Sequence, residues 1–114
     1  MSSVISLPII EKLYAIYKIL AKLNITLTKQ FRYSLGAETE KSLLALIELL
    51  LMAGYAPKAH KSVYLTKAQA LLDSMRLRLR LYLELELANE TTLMRLQAEL
   101  DEAGRMLGGW AKSL

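Results

Sequence analysis

The sequence contains no cysteine and a single histidine, His60. The first absence removes disulfides and thiolate chemistry. The second leaves too few nitrogen and sulfur ligands for a usual zinc site, so no metal is expected. Paired Glu and Glu-x-x-His motifs, which build di-iron sites inside helical bundles, are absent. So are the Gly-x-Ser-x-Gly elbow, the phosphate-binding P-loop and the dinucleotide fingerprint. Glu84 and Glu86 are two positions apart and fall on different helix faces, which does not make an acid/base pair. The expectation is therefore no catalytic residue, no metal, no cofactor and no small-molecule substrate. A long uninterrupted apolar run is also missing. The stretch from Leu43 to Ala56 is interrupted by Glu48 and is shorter than the roughly 20 residues a membrane span needs. The opening residues MSSVISLPII lack a basic n-region and a long apolar h-region, so a cytoplasmic protein without a membrane partner is expected.

The 114 residues suit one domain, 1–114. A chain of this size buries roughly two-thirds of its unfolded surface. Hydrophobic residues make up 54% of it, and 26 residues are leucine. One small core does not readily hide that much apolar surface, and a subunit interface is the natural place for the rest. The net charge is +4, a mild signal for a polyanionic partner that repetition in an oligomer would strengthen. The same charge is also ordinary for a protein with no such partner, and both readings stand.

Apolar spacing predicts four helices and no strands. Over about 8–27, Ile9, Leu13, Ile16, Leu20, Leu23 and Leu27 alternate four and three residues apart, a heptad seam. Ile10, Tyr14, Tyr17 and Ala21 form a stripe beside it, and Tyr14 and Tyr17 read as core. Ser6 is a candidate N-cap, and Pro8 falls in the first turn. A second helix is predicted over about 33–53, with Gly54 as its C′ residue. The third is predicted over about 61–88 and the fourth over about 93–111, with a turn and cap at Asn89 to Thr92 between them. In the fourth, Leu93, Leu96, Leu100, Ala103, Leu107, Trp110 and Leu114 again form a seam. Gly104 and Gly108 each cost about 1 kcal/mol against Ala, so something is expected to pack closely on them.

Residues Met75 to Leu87 alternate apolar and polar, which taken alone is a strand pattern. Leu, Arg and Glu are nevertheless strong helix formers, and no second strand exists to pair with. On a helix of about 100° per residue, Leu77, Leu81 and Leu85 make one apolar stripe. Leu79, Leu83 and Leu87 make another nearly opposite, so one stripe should meet the bundle and the other a neighbouring subunit. Short connections then give an all-α, antiparallel, up-down-up-down four-helix bundle that is homo-oligomeric.

Polar candidates are few. Glu48 sits in apolar surroundings and is expected to be a buried carboxylate paired with Tyr14, Lys67 or Arg105. Arg76, Arg78 and Arg80 are candidates for nucleic-acid or polymerase contact, together with Lys58, Lys61, Lys67, Arg105 and Lys112, which the topology gathers toward one end. Salt bridging to Glu84 and Glu86 is the equal alternative for the arginines. Lys22, Lys29 and Arg32 collect at the other end. Leu79, Leu83, Leu87, Gly104, Gly108 and Trp110 are the candidates for oligomer or helix packing.

Several of these residues carry a likeness. Lys41-Ser42-Leu43-Leu44, Glu48-Leu49 and Ala53-Gly54 are similar to one helix of a known family. Met75-Arg76 and Leu79-Arg80 are similar to its repeated hydrophobic-Arg pair. Glu102, Gly104-Arg105, Leu107-Gly108 and Trp110 are similar to its last helix. On these the chain resembles the accessory variability determinant family of diversity-generating retroelements, a branch of the bacterial four-helix-bundle proteins that also includes those encoded in ribosomal RNA intervening sequences. Arg78 and the acid-rich Leu83 to Leu87 depart from the family pattern, and the chain ends at Leu114, soon after the tryptophan. The resemblance implies a pentameric ring, a non-enzymatic role, and binding to the reverse transcriptase and to template RNA or cDNA during mutagenic retrohoming. The alternative within the same resemblance is a structural or interaction oligomer of the intervening-sequence branch with no retroelement role.

Overall fold

The computed structural model describes residues 3–114, which form four long helices and, among the described residues, no strand. The first, α1, spans Pro8–Ile25. Pro8 opens it at a position whose N–H needs no partner. Ser6 does not cap it. It lies in a short 3-10 turn, Val4–Ser6, and its Oγ donates to the Ser3 carbonyl at 2.9 Å.

The second helix starts earlier than the pattern predicted. Lys29–Phe31, a π-turn at Arg32–Gly36 and Ala37–Tyr55 run on as one helix, α2 (residues 29–55). Gly54 is therefore not a C′ residue. It is a helical position where a Cβ would collide with Val4, and the turn before α1 seats its valine there. Lys61 closes the end of α2 by donating to the carbonyls of Ala53 (2.8 Å) and Gly54 (3.1 Å).

The third helix, α3, spans Lys58–Glu84, so the alternating Arg/Leu stretch is helical. Its 27 residues rise about 40 Å, which accounts for most of the molecule's 44 Å long dimension. It ends short of the predicted Ala88. Glu86 has φ 54°, in the left-handed region. The Leu87 N–H donates to the Tyr82 carbonyl at 2.9 Å, and that of Glu86 to Leu83 at 3.1 Å. This is the Schellman closure, normally built on glycine. The last helix, α4, spans Glu90–Lys112. The Asn89 side-chain oxygen caps it, accepting from the amides of Thr91 (2.8 Å) and Thr92 (3.3 Å).

α1 lies against α2 and α4, and α3 lies against the same two. One buried cluster draws on all four. It contains the whole predicted α1 seam, Leu43, Leu46, Leu50 and Ala53 of α2, and Leu93 to Leu107 of the α4 seam. In α3 the core residues are Leu65, Ala68, Leu72, Met75, Leu79 and Tyr82. Each large aliphatic side chain so buried contributes about 1.5–3 kcal/mol.

Three burial expectations are corrected. Glu48 is exposed, because on α2 it shares the outward side with Leu44 and Met52 while Leu46 and Leu50 take the core. Tyr14 is 62% exposed, being turned off the Leu13–Ile16 seam, and its ring carries the Lys18 ammonium 4.9 Å away. Of the two leucine stripes on α3, only Leu79 is fully buried in the core. Tyr82 occupies the next turn, Leu83 is half-exposed at the helix end, and Leu87 packs on the core from the turn that follows. The stripe left facing outward is Leu77, Leu81 and Leu85. No helix of the described residues is long and apolar enough to cross a membrane.

Candidate functional site

Arg76, Arg78 and Arg80 are two positions apart, and about 200° of helix rotation separates each from the next. They leave α3 in different directions. Arg76 turns to α4. Its Nη1 is 3.0 Å from Asp73 Oδ1 and its Nε is 3.2 Å from Asp101 Oδ1. The guanidinium lies over Gly104, where a Cβ would stand 2.5 Å from Nη2 and 3.3 Å from Leu72. Gly104 is thus a glycine because α3 of the same chain approaches it. Gly108 has open space where its Cβ would be, so nothing among the described residues packs closely on it. Instead it lines a shallow groove with Ser62, Thr66 and Leu107 between the start of α3 and the end of α4.

Arg78 turns the other way, toward α2. Its Nη1 is 3.7 Å from Glu38, and its buried Nε has no hydrogen-bond partner among the described residues. Arg80 faces solvent, 3.6 Å from Glu84 one turn on. The three arginines do not form one basic face, and each already has an acidic neighbour. The same holds for Arg105, held by Glu102 at 2.6 Å, and for Lys61 on its two carbonyls. Lys58, Lys67 and Lys112 are exposed and make no ion pair among the described residues. Trp110 is half-buried on the core, beside Leu7 and Met106.

Lys12 of α1 pairs with Glu99 of α4 at 2.7 Å. The hydrogen bond and the positive charge of Lys12 hold the Glu99 carboxyl below its ordinary range. A second groove lies between the end of α1 and the start of α4. Lys22, Thr26, Asn89, Thr92 and Arg95 line it. Both cations lack an acidic partner within ion-pair distance among the described residues. Sequence reading put Lys22 at this end but passed over Arg95, because a lone arginine on an exposed helix carries no signal until the groove beside it is seen.

Sequence reading also missed a buried polar node at the π-turn. Asn24 Nδ2 donates to the Gly36 carbonyl at 3.0 Å and to Glu40 Oε2 at 2.7 Å, and its Oδ1 accepts from the Tyr82 hydroxyl at 2.6 Å. The Tyr17 hydroxyl donates to the other Glu40 oxygen at 3.1 Å. A π-turn takes the local backbone out of the regular i−4 hydrogen-bond ladder, and at this one the Gly36 carbonyl receives the Asn24 amide. A Cβ on Gly36 would stand 3.2 Å from Asn24 Cγ. Burial raises the Tyr82 hydroxyl above the usual phenol range. Burial and the Glu40 hydrogen bond do the same to Tyr17. The node ties α1, α2 and α3 together. None of its residues lines either groove described above, and it reads as structural.

No group of three or more His, Cys, Asp or Glu side chains that could hold a metal ion occurs among the described residues. A family model described as bAvd-like matches residues 7–114. No curated protein and no solved structure matches the chain.

Proposed function

The chain belongs to the bAvd-like family of accessory variability determinants, and from that premise we propose that it is a non-enzymatic accessory protein of a diversity-generating retroelement. In this reading it is a single up-down-up-down, antiparallel four-helix-bundle domain acting in the cytoplasm. Copies of it form a ring of five, and the ring binds the reverse transcriptase and the template RNA or cDNA. The polymerase performs the chemistry, and the ring supports mutagenic copying of the template into the target gene.

The observation that carries the reading is the family match across nearly the whole chain. The charge agrees with it. The chain is +4, and Lys22, Lys58, Arg95 and Lys112 have no acidic partner among the described residues. These, rather than the internally paired Arg76, Arg78 and Arg105, are the side chains free to neutralise phosphates. The test is RNA binding measured against salt. Affinity is expected to fall steeply as salt rises, with a shallower slope in Lys22→Ala/Arg95→Ala or Lys58→Ala/Lys112→Ala and an unchanged slope in Arg76→Ala. Capture of a diversity-generating-retroelement reverse transcriptase completes the test. Salt-independent RNA binding together with failure to capture the polymerase would defeat the proposal.

A second reading draws on the arginines. Their internal pairing favours a structural or interaction oligomer of the intervening-sequence branch. A gene neighbourhood without a reverse transcriptase and paired repeats would select it.

A further inference from the structure

The outward side of α3 carries a second seam. Val63, Lys67, Ala70, Ser74, Leu77 and Leu81 recur at alternating four- and three-residue steps. All are exposed except the half-buried Ser74, with Leu77 at 61% and Leu81 at 45%. This is the spacing of a helix that packs along a second helix, and the inward seam of α3 is already covered by the chain's own core. The adjacent helix, α2, has an outward stripe of its own, formed by Leu44, Glu48, Met52 and Tyr55. Each stripe holds one charge that lacks an ion-pair partner among the described residues, Glu48 on α2 and Lys67 on α3.

Two contacts set the register of α2 against α3: Lys61 on the Ala53 carbonyl, and Arg78 beside Glu38. Interpolated between them, Glu48 and Lys67 stand at one height along the molecule, and so do the large Leu44 and the small Ala70. The outward side of α4 is different in kind, with Arg95, Asp101 and Arg105 exposed on it.

We propose that the outward stripe of α3 in one copy of this chain packs on the outward stripe of α2 in the next, bringing Lys67 of one against Glu48 of the other. The proposal rests on the self-association put forward above and names its surface. Copies related by rotation about an axis along the helices keep equal heights equal. The two opposite charges therefore meet, and Leu44 faces the gap at Ala70. One polar position within an apolar seam selects its register. Because the two stripes differ, the contact is head-to-tail and propagates around a closed ring or along a filament.

Light scattering of the whole chain tests this, with circular dichroism to confirm helix content. The unaltered protein is expected at a multiple of its monomer mass, and Leu77→Gln/Leu81→Gln at the monomer mass. Glu48→Lys and Lys67→Glu each place like charges together and are expected to weaken assembly on the order of tenfold. The double exchange is expected to restore it. Met94→Gln, on the outward side of α4, is expected to leave the mass unchanged. An oligomer indifferent to the α2 and α3 substitutions would overturn this surface while leaving self-association intact. A monomeric unaltered protein would overturn both.

Discussion

Asn24 shows what a single residue does here. Its side chain makes three hydrogen bonds, to the Gly36 carbonyl, to Glu40 and from Tyr82. Replacing it with Ala leaves a buried hydroxyl and a carbonyl without partners, each a loss of about 1–3 kcal/mol. Asn24→Ala is therefore expected to lower the urea midpoint, at unchanged slope, by an amount equivalent to about 2–4 kcal/mol. Tyr82 adds a pH dependence. Its folded-state hydroxyl is held above the ordinary phenol value, so its contribution is complete below the unfolded value of about 10. That contribution is lost as pH rises through the folded one. In alkaline titration, Tyr82→Phe is expected to be less stable than the parent near neutrality and to lose less stability than the parent above about pH 10. None of this was legible in the sequence. Asn24 follows Leu23 as an unremarkable polar neighbour of a seam. Its partners lie far away in the chain, and one is available only because α2 contains a π-turn. Glu48 failed in the opposite sense. A charge within an apolar run reads as buried when the whole run is assumed to be core, but the core of α2 takes only one side of it.

At the scale of the element, the helices were legible and their ends were not. Heptad spacing identified every buried residue of the α1 seam and most of the α4 seam, because packing against neighbours enforces that period. Helix propensity correctly overrode the strand-like alternation of Met75 to Leu87. The early stop of α3 was hidden because its left-handed residue is Glu86 where glycine is usual. A non-glycine residue in that region costs about 1 kcal/mol, so Glu86→Gly is expected to raise the thermal midpoint by a few degrees without changing the helix content. Lys61 was read as a free cation, and the structure uses it to satisfy the open carbonyls at the end of α2. Lys61→Ala is expected to cost about 1 kcal/mol in denaturant unfolding while leaving RNA affinity nearly unchanged.

For the whole molecule, composition pointed to more apolar surface than one chain can hide, and the outward stripes of α2 and α3 carry part of it, with Leu44, Met52, Tyr55, Val63, Leu77 and Leu81 exposed there. The arginines that sequence reading ranked first are tied into the same chain, so the electrostatic attraction for a polyanion comes from scattered cations and a modest net charge of +4. A scattered field of this size gains strength by repetition, because copies held together present their charges to one strand at once. In the proposed reading, self-association and RNA binding are coupled, although they use different residues. Leu77→Gln/Leu81→Gln alters no charge. This variant is expected to bind RNA with a shallower salt dependence and on the order of tenfold or greater weakening at moderate salt, even though every cation remains in place. Its thermal midpoint is expected to lose the rise with protein concentration that an oligomer shows. Equal RNA affinity for the monomeric variant and the parent would mean that one copy suffices, and assembly would then have to serve the polymerase rather than the template.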